Sequence, residues 1–429
     1  MIKSFLSKVL QKDSTRHISA MGLQRVLQIG LGFLSSIIVI RYLGPEQFGQ
    51  LSYIMAIMFI LTPFYSFGVD DFLLRDLVKE DRSDIVLAGF YVKLTSFLLV
   101  SGTVLLYYFL IRPPNGLIIV VYSLLMLFRT FDVFEVYLSA KSEFNRMSQI
   151  RAFVTVILFS LKLVGVWKGL GWEFFLLISA LEIVLVGTGF FLLYLYKNPH
   201  SLGRIFSVKW SMYSRYIKLS IPVLFVLIVD FSLMRIDQVM VEYFTSKIEL
   251  GVYSAGVKII EVIKFIPIIF LTAILPEIVN SFDKGTEETE AKTAYLHGIQ
   301  FLFCISVLFF VLLFGDYMIN LLYGETFAES ALVVKLYSFL MIISIFSSTR
   351  NKLLIVKNSS KVVLWFSLLV LSMNIVFNIV FIQRYGTVGA IWGSILSYIL
   401  ATFIFLFSKS YRRESLLPFS YLLKKMRNN

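Results

Sequence analysis

The chain has 429 residues, of which 58% are hydrophobic and 16% are aromatic. Soluble domains are about 45–50% apolar, so this composition excludes an ordinary soluble enzyme or binding domain and indicates a membrane protein. The formal net charge of +13 does not indicate a nucleic-acid partner. The basic residues lie between hydrophobic segments instead of clustering in one soluble region, and membrane orientation explains such a distribution.

Residues 1–20 lack a long apolar region, so we expect no cleavable signal peptide there. Their apolar residues recur at helical spacing among lysines, which predicts a cytoplasmic amphipathic segment on the membrane surface. The chain contains a single cysteine, Cys304, within an apolar run. It therefore has no disulfide framework and no cysteine-based metal site.

Twelve segments are long and apolar enough to cross a bilayer, since a spanning helix needs about 20 mostly apolar residues. They lie near 21–41, 50–69, 86–111, 117–139, 151–170, 174–196, 217–241, 253–280, 294–315, 331–355, 362–383 and 386–408. The sequence therefore predicts an all-α integral membrane protein with about twelve transmembrane helices.

The loop charges predict the orientation of these helices. Of the 40 Lys and Arg residues, 27 fall in the termini and in loops on the side of the N-terminus, and only five fall in the opposite loops. Cytoplasmic loops carry the excess of Lys and Arg in membrane proteins. We therefore expect a multi-pass protein of the bacterial inner membrane with both termini in the cytoplasm.

A faint internal repeat divides the chain into two halves of six spans. The segment RYLGPEQFGQLSYIMAI from Arg41 aligns, with one inserted residue, with EYFTSKIELGVYSAGVK from Glu242, and this places Gly49 opposite Gly251. Parallel repeats of this kind are common in transporters. The predicted domains are an N-terminal surface segment (1–20), an N-terminal six-helix lobe (21–200), a cytoplasmic linker (201–216), a C-terminal six-helix lobe (217–408) and a basic cytoplasmic tail (409–429).

Four short motifs run in order along nearly the whole chain. They are RYLGPEQFG from Arg41, MRIDQVM from Met234 followed by ELGVYSAG from Glu249, LYGETF from Leu322, and RYGTVGA from Arg384. With these motifs the chain resembles the O-antigen (lipid-linked oligosaccharide) flippases, which transport intermediates of polysaccharide biosynthesis. That family belongs to the multidrug, oligosaccharidyl-lipid and polysaccharide exporter superfamily.

The resemblance implies two pseudo-symmetric six-helix lobes around a central cavity that opens alternately to either side of the membrane. It implies an undecaprenyl-pyrophosphate-linked oligosaccharide as substrate, and a polysaccharide polymerase and a chain-length regulator as partners in the bilayer. It implies no cofactor, and transport driven by a proton or sodium gradient or by consumption of the product. No catalytic residue is expected.

Charged residues inside the predicted spans are the candidate site. A charge near the centre of the bilayer costs about 2.5–3.5 kcal/mol, so it normally faces a partner or a wet cavity. The basic ones are Arg25, Lys93, Arg129, Lys162, Arg235, Lys258, Lys264 and Lys335. The acidic ones include Asp132, Glu135, Glu182, Asp230, Asp237 and Glu261.

In the superfamily, the first, second, seventh and eighth helices line the cavity. By this resemblance, six charged residues of those helices are expected to line the cavity. The basic ones among them would hold the pyrophosphate and sugar head. The six residues are Arg25, Lys258, Lys264, Arg235, Asp237 and Glu261. The alternative is structural pairing of Glu261 with the lysine three residues before or after it. For the fourth helix, with Arg129, Asp132 and Glu135, we favour a packing network.

Four prolines interrupt the second, seventh and eighth spans and are hinge candidates, because proline removes an intrahelical hydrogen bond and kinks a helix. They are Pro63, Pro222, Pro267 and Pro276. Asn374 and Asn378 lie at i and i+4 on the eleventh span and are expected to bond a neighbouring helix.

Other functions remain as alternatives. The sequence has no phosphate-binding loop, because Val257 follows Gly251–Gly256 where a lysine is required. A multidrug exporter of the same superfamily would favour an acidic cavity for cationic drugs. A lipid II flippase commonly carries two additional helices. A membrane polysaccharide polymerase or glycosyltransferase is expected to have a sizeable outer loop with catalytic groups.

Overall fold

A computed structural model describes residues 14–80, 82–199, 210–282, 286–408, 411, 412 and 415. The side chains before Gln28, and those of Ile29 and Thr286, lie outside this description. Most of the predicted surface segment 1–20 and of the basic tail 409–429 falls outside the described residues. The same holds for positions 201–209 of the predicted linker.

Helices make up the regular structure of the described residues. The helices in the first part of the chain are α1 (Ser14–Ser66), α2 (Asp70–Lys79), α3 (Ser83–Ile111), α4 (Gly116–Leu125), α5 (Asp132–Ala140), α6 (Phe144–Trp167) and α7 (Trp172–Lys197). Those that follow are α8 (Trp210–Phe244), α9 (Lys247–Ser281), α10 (Thr286–Tyr323), α11 (Ser330–Val356) and α12 (Ser360–Phe405). Short 3₁₀ segments, Met126–Phe131 and Glu325–Phe327, join α4 to α5 and precede α11.

The predicted fold class is confirmed. In the described part of the chain, ten helical segments are long and apolar enough to cross a membrane. Two of them contain two predicted spans each, and each is interrupted at a glycine with positive φ: Gly44 at 68° in α1 and Gly386 at 56° in α12. Counting the halves separately gives the twelve predicted spans. The fifth ends at Trp167, three residues before the predicted boundary.

Local sequence determines where several helices begin and end. α3 ends at Ile111 because Pro113 and Pro114 follow, and proline disfavours helical backbone in the residue before it. α9 begins after Ser246, whose hydroxyl accepts a hydrogen bond from the backbone N–H of Glu249 at 3.2 Å. This Ser-x-x-Glu spacing is that of a capping box.

Large apolar side chains are exposed on the outside of these helices. Leu99, Leu110 and Leu313 are each more than 70% exposed. Soluble monomers rarely expose contiguous apolar surface of this extent, and the hydrocarbon of a bilayer covers such a surface. The chain is therefore a multi-pass membrane protein.

The chain divides into two compact units. Unit 1 comprises Met1–Tyr42 and Met58–Phe231, and unit 2 comprises Leu43–Ile57 and Ser232–Asn429. Two helices, α1 and α8, therefore contribute residues to both units. The predicted lobe boundaries stay a prediction.

Unit 1 has an apolar core where α2, α3, α5 and α7 meet. Its buried residues include Leu73, Val86, Val133 and Phe190. Gly89 of α3 permits this packing, because a Cβ at that position would overlap the side chain of Leu73. Lys93 of α3 is fully buried in the unit, and its ammonium lies 2.6 Å from the carboxylate of Asp70.

Unit 2 is built around α11, where 56% of the residues in its apolar 18-residue stretch are buried, the largest share among the candidate spans in the described part of the chain. The two halves of α12 lie side by side. Gly389 permits this close approach, because a Cβ at that position would overlap the backbone carbonyl of Phe381 on the other side of the Gly386 kink. Asn374 donates to Ser394 at 2.9 Å across the same pair of halves. Asn378 donates to Asn374 at 3.0 Å.

Candidate functional site

Arg235 of α8 and Glu261 of α9 form an ion pair inside unit 2. Both guanidinium Nη atoms donate to the carboxylate, and the Nη2–Oε2 distance is 3.2 Å. The arginine side chain is 17% exposed and the glutamate side chain 26%. A bidentate geometry fixes both side chains and gives each carboxylate oxygen of the glutamate one charged hydrogen bond.

Asp237 lies two residues beyond Arg235 and makes different contacts. Its carboxylate accepts hydrogen bonds from the Tyr253 hydroxyl and from the backbone N–H of Gln238, the latter at 2.8 Å. The aspartate is only 5% exposed. Hydrogen bonds to both carboxylate oxygens offset part of the cost of burying this group.

Lys258 and Lys264 of α9 lie on either side of Glu261 in the sequence. Neither forms an ion pair with it, because Arg235 does. The Lys264 ammonium instead lies over the ring of Tyr337 on α11, 5.0 Å from its centroid. Such a cation–π contact stabilises a partly desolvated ammonium. Lys258 is half-buried one turn earlier on the same helix. The alternative in which Glu261 pairs with a lysine of its own helix is therefore wrong, because the partner of Glu261 comes from the neighbouring helix α8.

Arg25 lies in α1, but its side chain is outside the described residues. Pro222 lies within α8, Pro267 and Pro276 within α9, and Pro63 close to the end of α1. The cavity role of the six candidate residues and the hinge role of the prolines stay predictions.

Tyr253→Phe is expected to lower the free energy of unfolding by about 1–3 kcal/mol, because buried Asp237 loses a hydrogen-bond donor. The thermal midpoint of the purified protein measures this. Tyr323→Phe is the matched control, because the buried Tyr323 hydroxyl has no hydrogen-bond partner among the described residues, and its loss should be neutral or stabilising. Equal midpoints for the two variants would contradict the assigned role of Tyr253.

Unit 1 contains a polar cavity between α1, α6 and α7. Its volume is about 300 Å³, at the lower end of the range for small-molecule sites. The polar side chains that line it are Gln28, Ser35, Arg151, Thr155, Lys162 and Glu182, and the apolar ones include Leu31, Leu158 and Phe159. A polar cavity inside apolar helices of membrane length is a candidate path for a hydrophilic group.

The two basic groups of this cavity are held in place by neighbours. Arg151 donates to Glu135 of α5 at 2.6 Å, and Lys162 donates to the hydroxyl of Ser35 at 3.3 Å. Glu182 is exposed to the cavity. It lies ten residues into α7, about 15 Å from the start of that helix, and therefore deep within the span.

The charged residues of the fourth predicted span take part in a packing network. Arg129 donates to Asp132 at 3.3 Å within the same segment. Glu135 reaches α6 through Arg151. The Glu135–Arg151 pair therefore positions the Arg151 guanidinium in one wall of the cavity.

This cavity was not predicted from the sequence, although Lys162 and Glu182 are among the charged residues inside the predicted spans. A usable signal was present in the spacing. Arg151, Thr155 and Lys162 lie at i, i+4 and i+11, on one face of α6. Gln28 and Ser35 lie seven residues apart on α1, also on one face.

In the described part of the chain, His, Cys, Asp and Glu side chains form no group of three that could hold a metal ion.

Solved structures of membrane transporters have the same fold. An inward-facing multidrug resistance MATE family transporter of the MOP superfamily matches with a TM-score of 0.72 and 15% identity over 91% of this chain and 95% of that chain. The lipid II flippase MurJ in an inward closed conformation matches with a TM-score of 0.70 and 14% identity over 96% and 93%. A MOP superfamily transporter from Pyrococcus furiosus matches with a TM-score of 0.61 and 15% identity over 96% and 98%.

The sequence comparisons give one family. No curated protein matches the chain. A family profile described as "Polysaccharide biosynthesis protein" matches residues 14–282, which is more than half of the chain. The chain belongs to this polysaccharide biosynthesis family and has the fold of the MOP superfamily transporters.

Proposed function

We propose that the protein is a flippase for an undecaprenyl-pyrophosphate-linked repeat unit of O-antigen or of another polysaccharide. It moves the unit by alternating access from the cytoplasmic to the periplasmic face of the inner membrane, and both of its termini lie in the cytoplasm. A gradient of protons or sodium, or consumption of the product, drives the transport. A polymerase and a chain-length regulator receive the product.

The observation that carries this proposal is the polar cavity inside membrane-spanning helices of unit 1. A phosphorylated saccharide is strongly hydrated, and its transfer into hydrocarbon without polar partners is prohibitively costly. Cations, an amide and hydroxyl groups replace the lost water for the head, while the lipid tail stays in the bilayer. Membership of a polysaccharide biosynthesis family supports a saccharide as the cargo.

Gene deletion in the host, followed by complementation, tests the proposal. The deletion should abolish surface polysaccharide and leave lipid-linked repeat units on the cytoplasmic face, and the wild-type gene should restore export. Units that accumulate on the outer face of the deletion strain would instead indicate a polymerase. Increased drug sensitivity with normal polysaccharide would indicate a drug exporter.

The basic residues of α9 are tested in the same strain. Lys258→Ala and Lys264→Ala are each expected to reduce surface polysaccharide, because the proposed transport path along α9, which is separate from the unit 1 cavity, loses a positive charge that offsets desolvation of the pyrophosphate. Lys352→Ala is the matched control, because Lys352 is exposed on α11. Full complementation by both α9 variants, at wild-type protein levels, would show that these lysines take no part in transport.

A further inference from the structure

The unit 1 cavity offers a mixture of hydrogen-bond donors and acceptors. Lys162 and Arg151 only donate, whereas an ionised Glu182 only accepts, and Gln28 can do both. The Thr155 hydroxyl donates to the backbone carbonyl of Arg151 at 2.8 Å, so it can accept a further hydrogen bond. Arg151 commits one Nη to Glu135, and its other N–H groups are not fixed by that contact. The cavity therefore presents opposite hydrogen-bonding roles on different walls.

This mixture discriminates between the two polar parts of the proposed substrate. A pyrophosphate carries only acceptors and negative charge, so it would be attracted by Lys162 and Arg151 but repelled by Glu182. Among the described side chains, Glu182 has no ion-pair partner within 4 Å that would neutralise it. A sugar hydroxyl both donates and accepts, so adjacent hydroxyls can bond the carboxylate and a cation at once.

The size and the apolar lining of the cavity agree with a sugar. A volume of about 300 Å³ accommodates a small polar group such as one or two sugar rings, at the lower limit for small-molecule sites. Phe159 and Leu158 line the same space as the polar groups. They can pack against the C–H face of a sugar ring, whereas a pyrophosphate has no apolar face to bury.

From these observations, and resting on the proposed function, we infer that the unit 1 cavity is a binding site for a sugar residue of the repeat unit, which it recognises through its hydroxyl groups. Glu182 is the acceptor that distinguishes this site from an anion site. Lys162 and Arg151 donate to hydroxyl oxygens, and the pyrophosphate is bound elsewhere.

Competition binding with the full-length purified protein tests the inference. The probe is the lipid-linked repeat unit extracted from the deletion strain. One competitor is the free oligosaccharide released from it by mild acid, and the other is sodium pyrophosphate. The oligosaccharide should displace the unit from the wild type. Glu182→Gln should weaken that competition roughly tenfold or more, as expected for loss of a charged hydrogen bond, and Lys162→Met should weaken it similarly.

Glu173→Gln is the matched control, because Glu173 lies in the first turn of the same helix and does not line the cavity. It should bind as the wild type does. The thermal midpoints of all variants establish that each is folded, and Thr155→Val provides a second cavity variant without a change of charge. It should also weaken competition by the oligosaccharide.

Three results would overturn the inference. Tighter binding by Glu182→Gln together with competition by pyrophosphate would make the cavity an anion site. Unchanged competition in folded Glu182→Gln, Lys162→Met and Thr155→Val would show that the sugar does not bind in this cavity. The flippase proposal would be unaffected by that result. Failure of the lipid-linked unit to bind the wild type would overturn both.

Discussion

Glu261→Gln is expected to lower the free energy of unfolding by about 3 kcal/mol, the lower end of the range for breaking a buried ion pair. The reason is that Arg235 keeps its charge but loses the carboxylate that binds both of its Nη atoms. The lower end applies because the two side chains are 17% and 26% exposed. The thermal midpoint of the purified protein in detergent, followed as loss of the monodisperse species, measures this.

The double variant Arg235→Met with Glu261→Met should recover most of that loss, because replacing a whole buried pair by apolar residues is often neutral or stabilising. Its transport activity then separates two roles. Recovery of both stability and transport makes the pair structural, and recovery of stability alone makes its charge part of the transport path. A double variant no more stable than Glu261→Gln would contradict the ion pair as the cause.

Asp316→Asn is the control for this experiment. Asp316 also pairs with a basic residue, Lys335, at 2.5 Å, but its side chain is 74% exposed. Exposed pairs contribute at most about 1 kcal/mol, so the thermal midpoint should change little. A loss as large as that of Glu261→Gln would show that burial does not determine the effect.

Gly49→Ala and Gly251→Ala are expected to cost about 1–3 kcal/mol each, and more where the backbone cannot move. A Cβ at Gly49 would overlap the backbone carbonyl of Lys247, and a Cβ at Gly251 would overlap that of Pro45. The two segments therefore approach each other reciprocally within unit 2, each at a glycine. Backbone carbonyls cannot rotate away as a flexible side chain can, so the segments must separate.

Gly298→Ala is the matched control, because Gly298 lies in α10 with no heavy atom within 4 Å of the added Cβ. This variant should be neutral or slightly stabilising, since alanine favours a helix by about 1 kcal/mol over glycine. Thermal midpoints and surface polysaccharide are the measurements. Wild-type values for both Gly49→Ala and Gly251→Ala would contradict the close approach.

The fold class could be predicted from the sequence because span length and apolarity are local properties of each segment. The interruptions of α1 and α12 could also be located, since Gly44 lies between the first two predicted spans and Gly386 is the first residue of the last one. The internal alignment placed Gly49 opposite Gly251, but it gave no indication that the two segments contact each other. Such a contact depends on how distant helices pack, which no local pattern encodes.

The site was harder to predict. Side-chain pairs three or four residues apart on one helix can be predicted from their spacing, which is why the sequence indicates the lysines of the same helix as partners of Glu261. Its actual partner, Arg235, is 26 residues away on another helix. The unit 1 cavity was missed for a related reason: its polar residues are diluted among apolar ones in α6, and the partner faces on α1 and α7 are distant in sequence.

Movement of a lipid-linked saccharide across the bilayer by this protein alone tests the flippase function most directly. Purified full-length protein is reconstituted into vesicles with a repeat unit whose saccharide carries a fluorophore, and dithionite is added to destroy the fluorophore in the outer leaflet only. If the protein moves the saccharide lipid, nearly all fluorescence should be lost in vesicles with the wild type, and an inner-leaflet fraction should stay protected in vesicles without it. A protected fraction that stays equal in the two, or equal loss for a labelled phospholipid, would contradict a saccharide-lipid flippase.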